Sequence, residues 1–263
     1  MTDVTDMTEE RALPQRPADS FWTGLRTHTA ARIGIPRTGA SIATEALLDF
    51  RLAHSHARDA VLEPLDERLL ASRLAGLSDP VVCLTSAAVE RTQYLMRPDL
   101  GRSLGGDAMA KLSAHAARWD VAFVVADGLS AKAVQAHAQP VLAGTIEALR
   151  RQDWRIAPLV IVRQGRVAIG DAVAAALGAS STVVLIGERP GLSAADSMGA
   201  YLTWKPHAGT TDADRNCISN IRPDGIGYFD AVRKICHLLL AMSTQNRSGV
   251  ALKDDSDRLL ISD

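Results

Sequence analysis

Asp120-Val-Ala-Phe-Val-Val-Ala126, Pro158-Leu-Val-Ile-Val162 and Thr182-Val-Val-Leu-Ile186 are short, unbroken apolar runs rich in β-branched residues. A helical stretch from Ser130 to Trp154 separates the first two, and alanine-rich Gly170 to Leu177 separates the last two. Short apolar strands alternating with helices predict an α/β fold, with a mostly parallel sheet and helices on both faces. Tyr201-Leu-Thr-Trp204 can add a strand, and Gly227 to Met242 reads as a closing helix. Pro140 lies inside the first long helix and predicts a kink or break near Gln139.

Upstream of this region the pattern changes. From Phe21 to about Ala75 it is helical: Ser41 can cap a helix, with Ile42, Ala46 and Phe50 on one face. Pro64 can open a further helix with Leu65, Leu69 and Leu70 inward, and Gly76 lies just past its end. No strand is expected before residue 98. Residues 1–20 carry five acids and two prolines, and such a segment cannot bury enough apolar surface to offset its ordering entropy. The expected organisation is an arm over 1–20, a small helical domain over 21–98, and the α/β domain over 99–263.

Composition narrows the function classes. The chain has 263 residues, 47% hydrophobic and 22% charged, with a net charge of −1, as in ordinary globular domains. A near-neutral charge with no basic stripe argues against nucleic acid as the main partner. No apolar run approaches the roughly 18 residues of a membrane span. The polar start has no apolar centre, so no secretory leader is expected. Cys83, Cys217 and Cys236 are widely spaced and odd in number, which suits a reducing, cytoplasmic compartment better than a disulfide frame or a zinc site.

Each predicted strand runs into a polar cluster: Asp127-Gly-Leu-Ser130, Arg163-Gln-Gly-Arg-Val-Ala-Ile-Gly-Asp171 and Gly187-Glu-Arg-Pro-Gly-Leu-Ser193. In a parallel sheet these three clusters converge on one edge, where ligands bind. Plainer roles compete at each position. Asp127 and Ser130 can simply cap a helix, Gly165 and Gly170 can be turn residues, and Glu188 with Arg189 can form a solvated pair. Cys217 can be a small buried hydrophobe. The segment from Thr211 to Pro223 reads as a long polar loop. The Gly187–Gly191 turn matches neither common phosphate-loop pattern. There is no G-x-S-x-G elbow, no H-E-x-x-H, and no activated partner for a hydrolase built on Asp127, Asp171 or Asp196. Polar strand ends without a catalytic group suggest a binding subunit whose chemistry lies elsewhere.

Several motifs in order carry a resemblance. They are Arg97-Pro-Asp-Leu-Gly-Arg102, Ala126-Asp-Gly-Leu-Ser130, Gly165-Arg-Val-Ala-Ile-Gly-Asp171, Ile186-Gly-Glu-Arg-Pro-Gly-Leu-Ser193, Arg215-Asn-Cys-Ile-Ser-Asn-Ile-Arg-Pro223 and Ser248-Gly-Val-Ala-Leu-Lys-Asp254. Across residues 95 to 254 this series resembles the small subunit of ethanolamine ammonia-lyase. The resemblance implies a Rossmann-like α/β layer that helps to enclose adenosylcobalamin against a catalytic large subunit, in a hexamer of heterodimers. It implies cofactor contacts at Val167, Glu188 and Cys217, with no catalytic or metal-ligating residue in this chain. It also implies that the cobalt keeps the cofactor's own base, and the chain lacks the D-x-H-x-x-G run that supplies a histidine elsewhere. In this family such N-terminal arms look like tails for solubility or for targeting to the shell of a bacterial microcompartment. The competing reading is a stand-alone, flavodoxin-like small-molecule binding module.

Overall fold

A computed structural model describes residues 17–256, and most of the expected arm lies outside the described residues. Its last part does not match the expectation, because helix α1 (Pro17–Arg26) begins there, with proline at the first helical position. Two compact units divide between His54 and Ser55, so the expected boundary at 98/99 falls inside the second unit.

The first unit holds α1, the short strands β1 (Arg37–Thr38) and β2 (Ser41–Ile42), and the start of α2 (Thr44–Leu62). Ser41 is therefore not a helix cap and Ile42 is not on a helix. Gly39, with φ +64, turns the chain into a hairpin in which Thr38 pairs with Ser41. None of residues 21–54 is buried.

The second unit contains α3 (Glu67–Leu74), β3 (Val81–Thr85), α4 (Arg91–Met96), α5 (Ala108–Ser113), β4 (Trp119–Ala126), α6 (Ala131–Arg150), β5 (Leu159–Arg163), α7 (Ile169–Leu177), β6 (Ala179–Gly187), β7 (Met198–Trp204), β8 (Arg215–Ile221) and α8 (Tyr228–Gln245). Helix α3 is capped by Asp66, whose Oδ1 accepts from the Leu69 N–H at 2.9 Å, rather than opened by Pro64. Leu70 is buried there and Leu69 is exposed.

The sheet order is β3-β5-β4-β6-β7-β8. The first four strands are parallel and the last two antiparallel, so the sheet is mixed but mostly parallel, as expected. Two elements correct the sequence reading. Val81-Val-Cys-Leu-Thr85, placed in a helical domain, is a parallel strand beside β5. The supposed loop from Thr211 to Pro223 contains β8, whose register on β7 pairs Tyr201 with Cys217. As an edge strand β8 needs no apolar run, and its alternation is too polar to show as one.

Strand β4 displays the pleat. Val121, Phe123 and Val125 enter the core beneath α6 and α8, while Ala122, Val124 and Ala126 enter the core shared with α5 and α7. Helix α6 runs from Ala131 to Arg150 without a break at Pro140. Ala138, Val141, Leu142 and Ile146 are buried around the proline, and this packing outweighs the missing hydrogen bond.

Candidate functional site

The carboxyl ends of the parallel strands share one edge, and the polar clusters that follow β4, β5 and β6 meet there. They wall an open crevice of about 400 Å³. Gly128 and Leu129 come from the first cluster, Arg166 and Val167 from the second, Gly187, Glu188 and Arg189 from the third. Tyr94 of α4, Ile186 of β6 and Tyr201 of β7 complete the lining.

Backbone contacts too close for a side chain join the loops. A Cβ on Gly128 would lie 2.3 Å from the Gly187 carbonyl oxygen, and Gly128 also has φ +54. Leu129 N–H donates to that same oxygen at 2.9 Å. Ser130 caps α6, accepting from the Ala133 N–H at 3.3 Å. Asp127 does not cap; its buried carboxylate reaches across to the next loop and accepts from the Gly165 N–H at 3.2 Å. Burial raises its pKa, opposed by the N–H groups of Gln164 and Gly165 and by Arg91.

Tyr94 is fully buried, and its hydroxyl donates to the Gly165 carbonyl at 3.1 Å. Two guanidinium groups lie over its ring, Arg91 at 4.8 Å and Arg166 at 4.2 Å. Arg91 is neutralised by Asp127 at 3.5 Å and is held also by Gln164 at 3.2 Å. The Arg166 backbone N–H donates to the Gly101 carbonyl at 2.7 Å. That glycine stands in the Arg97–Arg102 motif, where a Cβ would lie 2.8 Å from the Arg166 side chain.

The structure brings Val167 and Glu188 to the same crevice. Val167 is half-buried there. Glu188 forms no ion pair with Arg189. Its carboxylate instead accepts from the Ser197 hydroxyl and from the Asn220 N–H at 3.2 Å. The register explains the second bond. Met198 and Ala200 pair with Ile221 and Ile218, so β8 carries one extra residue opposite Gly199. This bulge turns Asn220 out of the ladder with φ 58, and its freed N–H finds the carboxylate. Gly199 provides the room, since a Cβ there would lie 3.0 Å from Glu188 Oε1.

Cys217 does not line the crevice but stands one strand behind it, exposed on β8 and paired with Tyr201 in the register. Protein packed around the sulfur raises its pKa, and the tyrosine opposes that shift. Sequence reasoning missed Tyr94, Arg91, Ser197, Gly199 and Asn220, because each acts through tertiary placement. The first pair precedes the Arg97 motif without any periodic signal of its own.

The remaining motifs are structural. Arg215 and Asp171 form a buried bidentate pair at 2.7 and 2.6 Å that ties β8 to α7. The Ser248–Asp254 segment straps β8, where Asn216 Nδ2 donates to the Leu252 carbonyl at 2.8 Å and Asn216 Oδ1 accepts from the Gly249 N–H at 2.6 Å. Asp127 and Asp171 are thus both engaged within the fold. Among the described residues no group of three or more His, Cys, Asp or Glu could hold a metal ion, and no helix is long and apolar enough to cross a membrane.

Comparison with known proteins gives the same result as the motifs. The ethanolamine ammonia-lyase light chain (EutC) family matches residues 19–253. The chain is 47% identical over 256 residues to the ethanolamine ammonia-lyase small subunit of Ralstonia nicotianae, covering 95% of each chain. It is 48% identical over 250 residues to that of Pseudomonas fluorescens, covering 93% of this chain and 91% of the relative. The small subunit of Pseudomonas putida is 49% identical over 243 residues, with 91% and 89% covered. On a family match across nearly its whole length and relatives close to half identical, the chain belongs to the ethanolamine ammonia-lyase small subunit family.

Proposed function

We propose that this chain forms one wall of the adenosylcobalamin site of ethanolamine ammonia-lyase, the carbon–nitrogen lyase that converts ethanolamine to acetaldehyde and ammonia. A large subunit holds the substrate and completes the enclosure, in a hexamer of heterodimers. The observation that carries the reading is the open crevice at the carboxyl edge of the sheet, where Val167 and Glu188 meet and Cys217 stands directly behind Tyr201.

The crevice suits a corrinoid chemically. A corrin rim presents methyl groups and amide side chains, and it needs apolar walls with a few fixed polar groups. Leu129, Val167, Ile186 and the Tyr201 ring supply apolar surface, and Glu188, Arg166 and Arg189 supply acceptor and donors. The Glu188 carboxylate has about four lone-pair directions and uses two within the fold, so capacity remains for a ligand amide. When bound, adenosylcobalamin supplies the radical chemistry. This chain binds and orients it and keeps water from one side.

Substitution of Val167 by Trp tests the reading. In the complex reconstituted with the large subunit it should fill the crevice and weaken adenosylcobalamin binding at least tenfold, measured by equilibrium dialysis. The Michaelis constant for ethanolamine should stay within twofold. Unchanged coenzyme affinity in a folded complex refutes the site. The chain alone, supplied with coenzyme, should turn over no ethanolamine. The proposed setting is cytoplasmic, with packaging in a bacterial microcompartment where the organism makes one.

A further inference from the structure

The crevice has an imbalance of charge that its walls do not resolve. Of the two guanidinium groups sharing the Tyr94 ring, Arg91 has a carboxylate partner in Asp127 and Arg166 has none among the described residues. Arg166 nevertheless does not roam. Its ring contact at 4.2 Å, its Nη2 donation to the Tyr94 carbonyl at 3.3 Å and its backbone bond to Gly101 fix it from three directions. Its Nε is buried and makes no hydrogen bond. Arg189, which also lines the crevice, has no ion-pair partner among the described residues, and Glu188 forms an ion pair with neither arginine, its hydrogen bonds coming from the neutral Ser197 and Asn220. A clamped arginine with donors to spare, in a crevice lined by two guanidinium groups against one carboxylate, is arranged for an anion.

We propose that Arg166, seconded by Arg189, is an anion subsite that takes the phosphodiester of the cofactor's nucleotide tail. The inference rests on the crevice reading and deepens it. The amide-bearing rim of the corrin presents no anionic group, whereas the tail carries one phosphodiester anion. Fixed guanidinium donors suit it because they pair with two oxygens at once, and because a preformed geometry loses little entropy on binding.

The test compares two ligands in the reconstituted two-subunit complex by equilibrium dialysis. Adenosylcobalamin carries the tail, and adenosylcobinamide has the same corrin without it. Arg166→Gln should weaken adenosylcobalamin by about 10- to 100-fold, the loss of a charge-assisted hydrogen bond to a desolvated anion. Adenosylcobinamide affinity should change less than threefold. Arg166→Lys, which keeps the charge on a similar scaffold, should recover part of the loss, and stands in if the glutamine variant fails to fold. Equal weakening of both ligands, or of neither, overturns the subsite. So does a drop in subunit association without coenzyme, which would assign Arg166 to a carboxylate of the large subunit. If Val167→Trp blocks both ligands while Arg166→Gln affects neither, the crevice stands and the anion subsite alone fails. If Val167→Trp also does nothing, the crevice reading itself is wrong.

Discussion

Glu188→Ala probes the point where the ligand wall and the sheet edge are the same atoms. The side chain closes the β8 bulge, and its removal deletes two hydrogen bonds to a charged acceptor, from the Ser197 hydroxyl and the Asn220 N–H. Ser197 is buried, so its hydroxyl keeps only a long 3.5 Å contact to Asn220 Oδ1, while the Asn220 N–H is exposed and can rehydrate. The first loss is therefore the larger, and the total is about 1–3 kcal/mol. For a domain of this size that corresponds to a fall in melting temperature of roughly 2–10 °C. Coenzyme affinity should fall as well, because Glu188 itself lines the crevice and the bulge lies beside the Tyr201 strand that completes it. Glu188→Gln retains a carbonyl acceptor and should show about half of the thermal shift. Differential scanning fluorimetry of the reconstituted complex, with and without coenzyme, measures both effects. A Glu188→Ala complex that melts within 1 °C of the parent would refute the bulge role, and one that also binds coenzyme normally would remove Glu188 from the site.

Three further outcomes are expected. Arg215→Met breaks the buried pair with Asp171 and should cost about 3–5 kcal/mol, read as a shift in urea midpoint; a cost below about 1 kcal/mol would mean that the pair does not pin β8. Gly128→Ala places a Cβ against the Gly187 carbonyl at a left-handed φ and should destabilise the chain by about 2 kcal/mol or more, whereas a neutral thermal melt would show that the loops can part. Asp127 is held above its ordinary value by burial, so the folded state keeps its proton to higher pH than the unfolded state does. Its contribution is then full below the unfolded value and is lost as pH rises through the folded one. Asp127→Asn should flatten the fall in stability as pH rises above the ordinary carboxylate range, and a constant difference from the parent throughout that rise would contradict it.

The central parallel strands β4, β5 and β6 were legible because they are buried on both faces, which forces continuous apolar runs such as Val121–Ala126. Convergence of the three polar clusters then followed from strand direction alone, and it located Val167 and Glu188 correctly at one edge. Strand β3 was hidden because only five residues carry it and it follows a helical stretch. Strand β8 was hidden because Cys217, Ser219 and Asn220 are exposed and one of its buried positions is the charged Arg215, so polar residues mask the period. The role of Glu188 could not be read locally at all. It depends on a bulge in a strand more than twenty residues away, and on a glycine at the facing position.

The same comparison separates residues that build the crevice from residues that wait for a ligand. Asp127, Tyr94, Arg91 and the Glu188 carboxylate all spend hydrogen bonds or charge on neighbouring loops, so their removal should be felt by the folded chain before any ligand arrives. Val167 and Arg166 differ. The valine contributes half-buried apolar surface facing the opening, and the arginine holds a charge that no carboxylate among the described residues answers. A substitution in the first group lowers stability and affinity together. A substitution in the second lowers affinity with little thermal cost, because the groups it removes have no full set of partners until the crevice is occupied. The ratio of the two effects, residue by residue, therefore distinguishes a wall that merely packs from one that recognises.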